Sequence, residues 1–235
     1  MYFDIHSHVI WGVDDGASTA EETFGMLKAA AADGIDTIIC TPHMTPGVYA
    51  FPEEDFQAHF REAEAFIAAE GLELKLLQGA EILYTDATPR LLREGKIPTL
   101  AGSRYAMIEF SPTHSKDFIF NALHKVAGTG IVPVVAHMER YPAIGKLDEA
   151  RDLKRRFGAM IQINARSLTR KQPFFRRKFF DGLFAEGICD FIATDTHAME
   201  GRETCMTAGM TAAREKFGEG CVKRLEENAR RIVGA

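Results

Sequence analysis

The sequence predicts a βα barrel, and three observations point there together. Short apolar runs recur with helical patterns between them, the runs are almost continuously apolar, and each ends in a polar, ligand-capable side chain. Strand–helix alternation with strands apolar on both faces implies parallel pairing covered by helices. Alternation alone would also fit an open doubly wound sheet. The strand ends tip the choice: His6, His43, Glu81, Glu109, His137, Asn164 and Asp195 finish seven runs out of seven. In a βα barrel the C-terminal strand ends converge on one face, so residues placed there meet. The expectation is one α/β domain over residues 1–235, a seven-stranded barrel with its metal site at the C-terminal ends of the strands.

The elements follow from local pattern. Residues 2–5, 37–41, 75–80, 105–108, 131–136, 159–163 and 190–194 are short apolar, β-branched or aromatic runs that read as strands. Ser18 and Glu21 match a capping box at a helix start, and Gly34 stops that helix. Phe56, Phe60, Ala63 and Ile67 fall on one helical face before Gly71. Leu147, Ala150, Leu153 and Phe157 repeat that spacing before Gly158. No low-complexity linker divides the chain.

Composition excludes several classes. The chain is 46% hydrophobic and 26% charged, ordinary for a globular core. No apolar run approaches the roughly 18–20 residues that cross a bilayer. The N-terminal MYFDIHSH lacks a basic segment and a long apolar one, so a cytoplasmic protein is expected. A net charge of −5 argues against broad contact with a nucleic-acid backbone. Cys40, Cys189, Cys205 and Cys221 form no CxxC pair, and none has Arg six residues on, which excludes a Cys-x5-Arg phosphatase loop. Reduced, buried thiols are expected.

The chemistry rests on histidines and carboxylates. His6 and His8 are two apart at a strand end, where the period-two pleat sends both rings to one side. Asp195 and His197 repeat that geometry at the last strand, and Asp14 and Asp15 occupy the loop after the first. His43 follows Thr41 and Pro42, and His137 ends the fifth run. Glu81 and Glu109 each follow an apolar run, where a buried carboxylate is costly without a cation. Any one of these alone reads best as a capped turn or a satisfied hydrogen bond. Five of eight histidines at strand ends, each beside an acid or another histidine, read best as a metal site. His59, His114 and His124 fall in helical or loop patterns and keep the structural reading.

Nitrogen and oxygen donors without thiolate suit manganese, zinc or iron rather than a structural zinc. About nine candidate donors exceed what one ion takes at ~4 to 6 ligands, so two or three divalent ions are expected. Clustered ions of that kind support phosphoester hydrolysis by an activated hydroxide, with no covalent protein intermediate. Arg140, three residues after His137, and Arg202, five after His197, are placed to fork onto phosphate oxygens.

At this point the chain resembles a known family. DIHSHVIWGVDDGA, TPH, GAEI, YAMIEFS, VVAHMERY, QIN and ATDTHAMEGR, in that order, are similar to the polymerase and histidinol phosphatase (PHP) superfamily. The likeness is to its bacterial tyrosine-phosphatase branch, the CpsB/CapC type of capsule and exopolysaccharide operons, and it runs from Phe3 to about Val233. It implies a distorted seven-stranded barrel with three ions, often manganese, acting on tyrosine autokinases that control polysaccharide export. By motif it implies His6, His8, Asp14, His43, Glu81, Glu109, His137, Asp195 and His197 as metal ligands, with Arg140 and Arg202 as the phosphate-binding, catalytic arginines. Two positions depart from the pattern. Met138 stands where the family often has Pro, and the late NP-x-x-I pattern reads Asn228 to Ile232 without its Pro.

Residues 165–180 hold Arg166, Arg170, Lys171, Arg176, Arg177 and Lys178 with no acid, and Phe174, Phe175, Phe179 and Phe180. Such a rim suits the phosphorylated tyrosine-rich tail of a bacterial kinase. A helix with a basic outer face and a phenylalanine core face accounts for it equally well. Two alternatives share the expected site: a small-molecule phosphomonoesterase such as histidinol phosphatase, and a non-catalytic regulatory PHP domain. The second requires lost ligands, and the donor set here is complete.

Overall fold

The computed structural model describes residues 1–234, apart from the side chain of Phe175. Its strands are β1 (Tyr2–Ser7), β2 (Ile35–Cys40), β3 (His43–Met44), β4 (Lys75–Gln78), β5 (Glu81–Leu83), β6 (Tyr105–Glu109), β7 (Val132–Val135), β8 (Met160–Asn164) and β9 (Phe191–Ala193). Between them lie α1 (Ala20–Ala32), α2 (Glu53–Glu70), α3 (Thr88–Arg93), α4 (Lys116–Ala127), α5 (Leu147–Phe157), α6 (Ala165–Thr169) and α7 (Phe174–Ala185). Helices α8 (Met206–Phe217) and α9 (Glu219–Val233) close the described chain.

Every strand pairing is parallel. One sheet has the order β1-β2-β4 and the other β3-β5-β6-β7-β8-β9. The parallel α/β arrangement is as expected, while the described strands number nine in two sheets where seven in one barrel were expected. All seven expected runs form strands, but β3 and β5 are additional. The physical cause is a shared bend. Pro42 offers no N–H and separates β2 from β3, while Gly79 and Ala80 separate β4 from β5. A Cβ on Gly79 would come within 2.8 Å of the Ile39 side chain, so the bend requires glycine there. Across the bend the backbone stays paired, with Gly79 N donating to Cys40 O and Glu81 N to Pro42 O. At the other side, Asp195 N donates to His6 O, His8 N donates to Thr196 O, and Ser7 and Thr196 form a parallel bridge.

Two cores result. Phe3 and Ile5 of β1, Ile39, Met107, Val134, Ala136, Phe191 and Ala193 pack with Leu100 and with Ala229 and Ile232 of α9. A larger cluster lies between the sheets and the outer helices. Phe56, Phe60, Ala63 and Ile67 of α2 are buried as their spacing predicts, and so are Ala150, Leu153 and Phe157 of α5. The cap of α1 lies one residue later than predicted. Thr19 receives Glu22 N, and the Glu22 carboxylate receives Ser18 N. No described helix is long and apolar enough to cross a membrane. Cys40, Cys189 and Cys221 are buried, Cys205 is half-buried, and all four are free thiols.

Candidate metal centre

The C-terminal ends of the parallel strands bring the expected residues together. His6 and His8 leave β1 with ring centroids 5.3 Å apart, and His8 stacks on His197 at 3.8 Å. Donor atoms of His6, His8, Glu81 and Asp195 converge in one group, entirely buried. A second group is His8, Asp15, His43 and His197, and a third is His43, Glu81 and Glu109. His137 Nε2 lies 2.7 Å from Glu81 Oε1 and 3.6 Å from Glu109 Oε1, beside the third group. His137 and Asp195 have φ of 29° and 53°, a left-handed backbone that non-glycine residues seldom adopt. Such strain concentrates where a side chain must be aimed at one point.

One expectation changes. Asp14 belongs to none of these groups, whereas Asp15, its neighbour, does. Asp14 Oδ2 accepts from His8 Nδ1 at 2.7 Å and from His43 N at 3.0 Å, and Oδ1 accepts from Gly16 N. Asp15 Oδ1 lies 3.2 Å from His43 Nε2 and 3.4 Å from His197 Nε2. The loop permits this because residue 16 is glycine. A Cβ there would sit 2.2 Å from His8 O.

The hydrogen bonds of the imidazoles fix their chemical state. His8 Nδ1 faces the Asp14 carboxylate, His6 Nδ1 faces Gln162 Oε1 at 3.2 Å, and His197 Nδ1 faces Asp195 O at 3.0 Å. Each partner is an acceptor, so each Nδ1 carries the proton and donates it. Gln162 orientation follows from its neighbours: Oε1 also receives His137 N, and Nε2 donates to Asn164 Oδ1. The ring nitrogens left over are Nε2. In His6, His8 and His197 those atoms, together with Glu81 Oε2, are buried without a well-aligned hydrogen bond, and His6 and His8 Nε2 crowd Glu81 Oε2 at 3.1 and 3.2 Å. Nitrogen and carboxylate atoms gathered this closely are costly in a protein interior unless protons or a metal cation take their lone pairs. The residues fit a metal cluster.

Electrostatics agree. Burial disfavours charge on Glu81, but His6, His137 and His8 hold its carboxyl well below the usual range. Burial and the neighbouring Glu81 charge push Glu109 up to about 8. Burial lowers His197 to about 4, helped by His8, so it is a neutral imidazole near neutrality. Burial opposes charge on His8 as well, yet Asp14 and Glu81 outweigh it and raise it to about 10. An ion entering this site therefore displaces protons.

Both expected arginines reach the cluster through one carboxylate. Arg140 Nη2 donates to Asp195 Oδ2 at 2.6 Å, and Arg202 Nη2 donates to Asp195 Oδ1 at 3.1 Å. Each is about two-fifths exposed, so each keeps donors on the solvent side. The loop after β9 folds back to put Arg202 there, with His197 N and Thr196 Oγ1 both donating to Arg202 O.

Sequence reading places Asp15 in the loop after the first strand without assigning it as a ligand, and gives no role to Gln162 or Glu139. Glu139 Oε1 receives Asn164 N and Ser167 Oγ, and Glu139 O receives Arg176 Nη2 at 2.6 Å. The basic segment thus braces the loop that carries Arg140. Phe179 and Phe180 of α7 are buried, Arg177 and Lys178 are exposed, and Phe174 is 92% exposed. The Phe175 side chain lies outside the described residues. His59 holds Trp11 O through Nδ1 at 2.8 Å and stacks on the Trp11 ring, the structural role expected of it.

Comparison with known proteins places these residues in company. Residues 2–234 match the family described as capsular polysaccharide synthesis, CpsB/CapC. The chain is 31% identical over 236 residues to the tyrosine-protein phosphatase CpsB of Streptococcus pneumoniae, covering 98% of this chain and 97% of that one. It is 27% identical over 230 residues to the tyrosine-protein phosphatase YwqE of Bacillus subtilis, covering 98% and 91%. A crystal structure from work on YwqE and CpsB, described as unique metal-dependent tyrosine phosphatases, superposes with a TM-score of 0.88 at 27% identity, covering 99% of this chain and 94% of that one. Histidinol phosphate phosphatase from Lactococcus lactis shares the fold at 14% identity, with a TM-score of 0.61 over 94% of this chain and 93% of that one.

Proposed function

The chain belongs to the CpsB/CapC family, and from that membership and its site we infer a metal-dependent phosphatase that hydrolyses phosphotyrosine on protein. The observation that carries the reading is the set of Nε2 atoms of His6, His8 and His197 with Glu81 Oε2, buried together without a well-aligned hydrogen bond, each ring held by a hydrogen bond at Nδ1.

The donor set divides three ways. An imidazole nitrogen serves one ion, and His8 Nδ1 is occupied by Asp14, so its Nε2 is assigned to the group of His6, Glu81 and Asp195. That leaves Asp15, His43 and His197 for a second ion. The other Glu81 oxygen, with Glu109 and His137, would hold a third. Two or three divalent ions are proposed, manganese foremost, with zinc or iron also suited to oxygen and nitrogen donors. When bound, they supply Lewis acidity for the phosphoryl oxygens and a nucleophile from water near neutral pH.

The protein's own part is positioning. Asp14, Gln162 and the Asp195 carbonyl orient the imidazoles. Arg140 and Arg202 are proposed to meet the phosphoryl oxygens, where charge spreads during transfer. Asp195, caught between both guanidinium groups, couples their placement to the buried group. A phenol leaves more readily than an alkoxide, so phosphotyrosine demands no dedicated general acid.

The finer architecture belongs to the same reading. With β2 and β3 taken as one bent strand and β4 and β5 as another, the pairings follow a ring closed between β9 and β1, a distorted seven-stranded PHP barrel. We read the chain as one phosphatase domain over residues 1–235 that acts in the cytoplasm. Its proposed substrate is the phosphorylated, tyrosine-rich tail of a kinase controlling capsule or exopolysaccharide synthesis. Turnover of a phosphotyrosine peptide, a phosphoserine peptide, histidinol phosphate and a dinucleotide by metal-loaded protein tests the assignment. Preference for the phosphotyrosine peptide is expected, and preference for histidinol phosphate would shift the function to small-molecule hydrolysis.

A further inference from the structure

The connection from β3 to α2 forms the wall of a cavity of about 290 Å³. Asp15 and His43 line one side of it, and Val13, Met44, Tyr49 and Phe51 make the rest largely apolar and aromatic. Candidate metal donors and an aromatic wall therefore share one space.

The wall is fixed at its base and open at its tip. Thr85 Oγ1 donates to Pro46 O at 2.7 Å, and Val48 N and Tyr49 N both donate to Thr45 O. Phe51 packs on Phe56 with ring centroids 5.6 Å apart. At the tip Val48 is 59% exposed and Tyr49 76% exposed. Isolated exposed apolar side chains are ordinary in soluble proteins. These two are adjacent, belong to one anchored loop, and stand beside a cavity that reaches Asp15 and His43. Arg202 Nη1 lies 3.7 Å from Asp15 Oδ2, so a cation for the phosphoryl group stands at the polar end.

We propose that this cavity is the leaving-group subsite, that it takes the phenyl ring of a phosphotyrosine ester, and that Tyr49 is a specificity-determining residue in it. The proposal rests on the phosphatase reading and adds the source of its aromatic preference. A seryl ester brings no ring to the wall, whereas a tyrosyl ester places its ring where an aromatic contact changes affinity by up to about tenfold. Tyr49 is the residue to vary because its exposure makes truncation harmless to the fold.

The test compares the parent, Tyr49→Ala and Tyr49→Phe. Calorimetry measures Kd for a peptide bearing phosphonomethyl-phenylalanine and for an alkyl phosphonate peptide of the same sequence. Steady-state kinetics on phosphotyrosine and phosphoserine peptides run in parallel. Tyr49→Ala should weaken the aryl phosphonate and raise KM for phosphotyrosine by about five- to tenfold, with the alkyl ligand unmoved and Tyr49→Phe close to the parent. A parent selective for phosphotyrosine whose Tyr49→Ala variant keeps that selectivity overturns the subsite and leaves the phosphatase reading standing. A parent that hydrolyses alkyl phosphates but not phosphotyrosine overturns both.

Discussion

Asp14 and Asp15 are neighbours in sequence, yet Asp14 accepts the His8 Nδ1 proton at 2.7 Å while Asp15 faces His43 and His197 Nε2 at 3.2 and 3.4 Å. One carboxylate orients a donor and the other joins the donors. The side chain of Asp14 is 3% exposed and that of Asp15 63% exposed, as suits a buried brace beside a group open to an arriving ion.

Substitution should separate the two roles. Asp15→Asn should lose part of the bound metal and leave the melting temperature of metal-free protein near that of the parent. Asp14→Asn should lower that melting temperature and weaken metal affinity about 10- to 100-fold, as removal of an orienting partner does. Metal content by mass spectrometry, read beside thermal melts of chelated protein, checks both. Identical behaviour of the two variants would contradict the division.

The Asp14 contribution has a sign in pH. Burial would raise its pKa, but the hydrogen bond and charge of His8, with two backbone N–H groups, lower it from 3.8 to about 2. A carboxyl held below its unfolded value favours folding above pH 3.8 and loses that contribution as pH falls through about 2. The contribution is on the order of 2 kcal/mol. The gap in melting temperature between metal-free parent and Asp14→Asn should therefore be full near neutrality and shrink in acid. A gap that widens in acid would reverse the assigned sign.

Much of this was legible in the sequence because strand ends in a parallel βα fold share one face. Seven ligand-capable residues at seven run ends predicted a convergence: five lie in the three donor groups, while His137 and Asn164 touch them through Glu81 and Asp195. The rest required three dimensions. Asp14 and Asp15 carry the same chemistry, and the contacts of Asp14 with His8, His43 and Gly16, in a loop that leaves no room for a Cβ at residue 16, are invisible in the sequence. Gln162 sits inside an apolar strand and reads as an isolated polar residue until its oxygen is seen between His6 Nδ1 and His137 N. The bends at Pro42 and Gly79 split two strands although backbone pairing continues across them, a break that a one-dimensional pattern does not carry.

Arg140 and Arg202 make the phosphoryl contact testable. Arg140→Ala and Arg202→Ala should fold and keep their metal while kcat on a phosphotyrosine peptide falls ~10²–10³-fold. Lysine at either position should restore only part of it, since an ammonium lacks the planar fork. Measuring kcat, bound metal and melting on the same samples isolates the effect. Turnover equal to the parent in both variants would make these arginines mere partners of Asp195.

The thiols should be silent. Burial pushes Cys40, Cys189 and Cys221 up, and it raises Cys205 to about 11, so none is a thiolate near neutrality. Cys→Ser changes at each position should leave kcat within a few-fold of the parent where the variant folds. A folded variant losing more than about a thousandfold would point to nucleophilic cysteine chemistry instead.

Metal dependence is the claim on which the rest stands, and one titration tests it most directly. Protein is stripped with a chelator, dialysed, and assayed on a phosphotyrosine peptide as Mn²⁺ is added, with bound metal counted at each step. Activity should be absent in stripped protein, return with the ion, and saturate at two to three ions per chain, as the three donor groups imply. Full turnover by protein with no bound metal would contradict the account, because the buried convergence of His6, His8 and His197 Nε2 on Glu81 and Asp15 would then need another explanation.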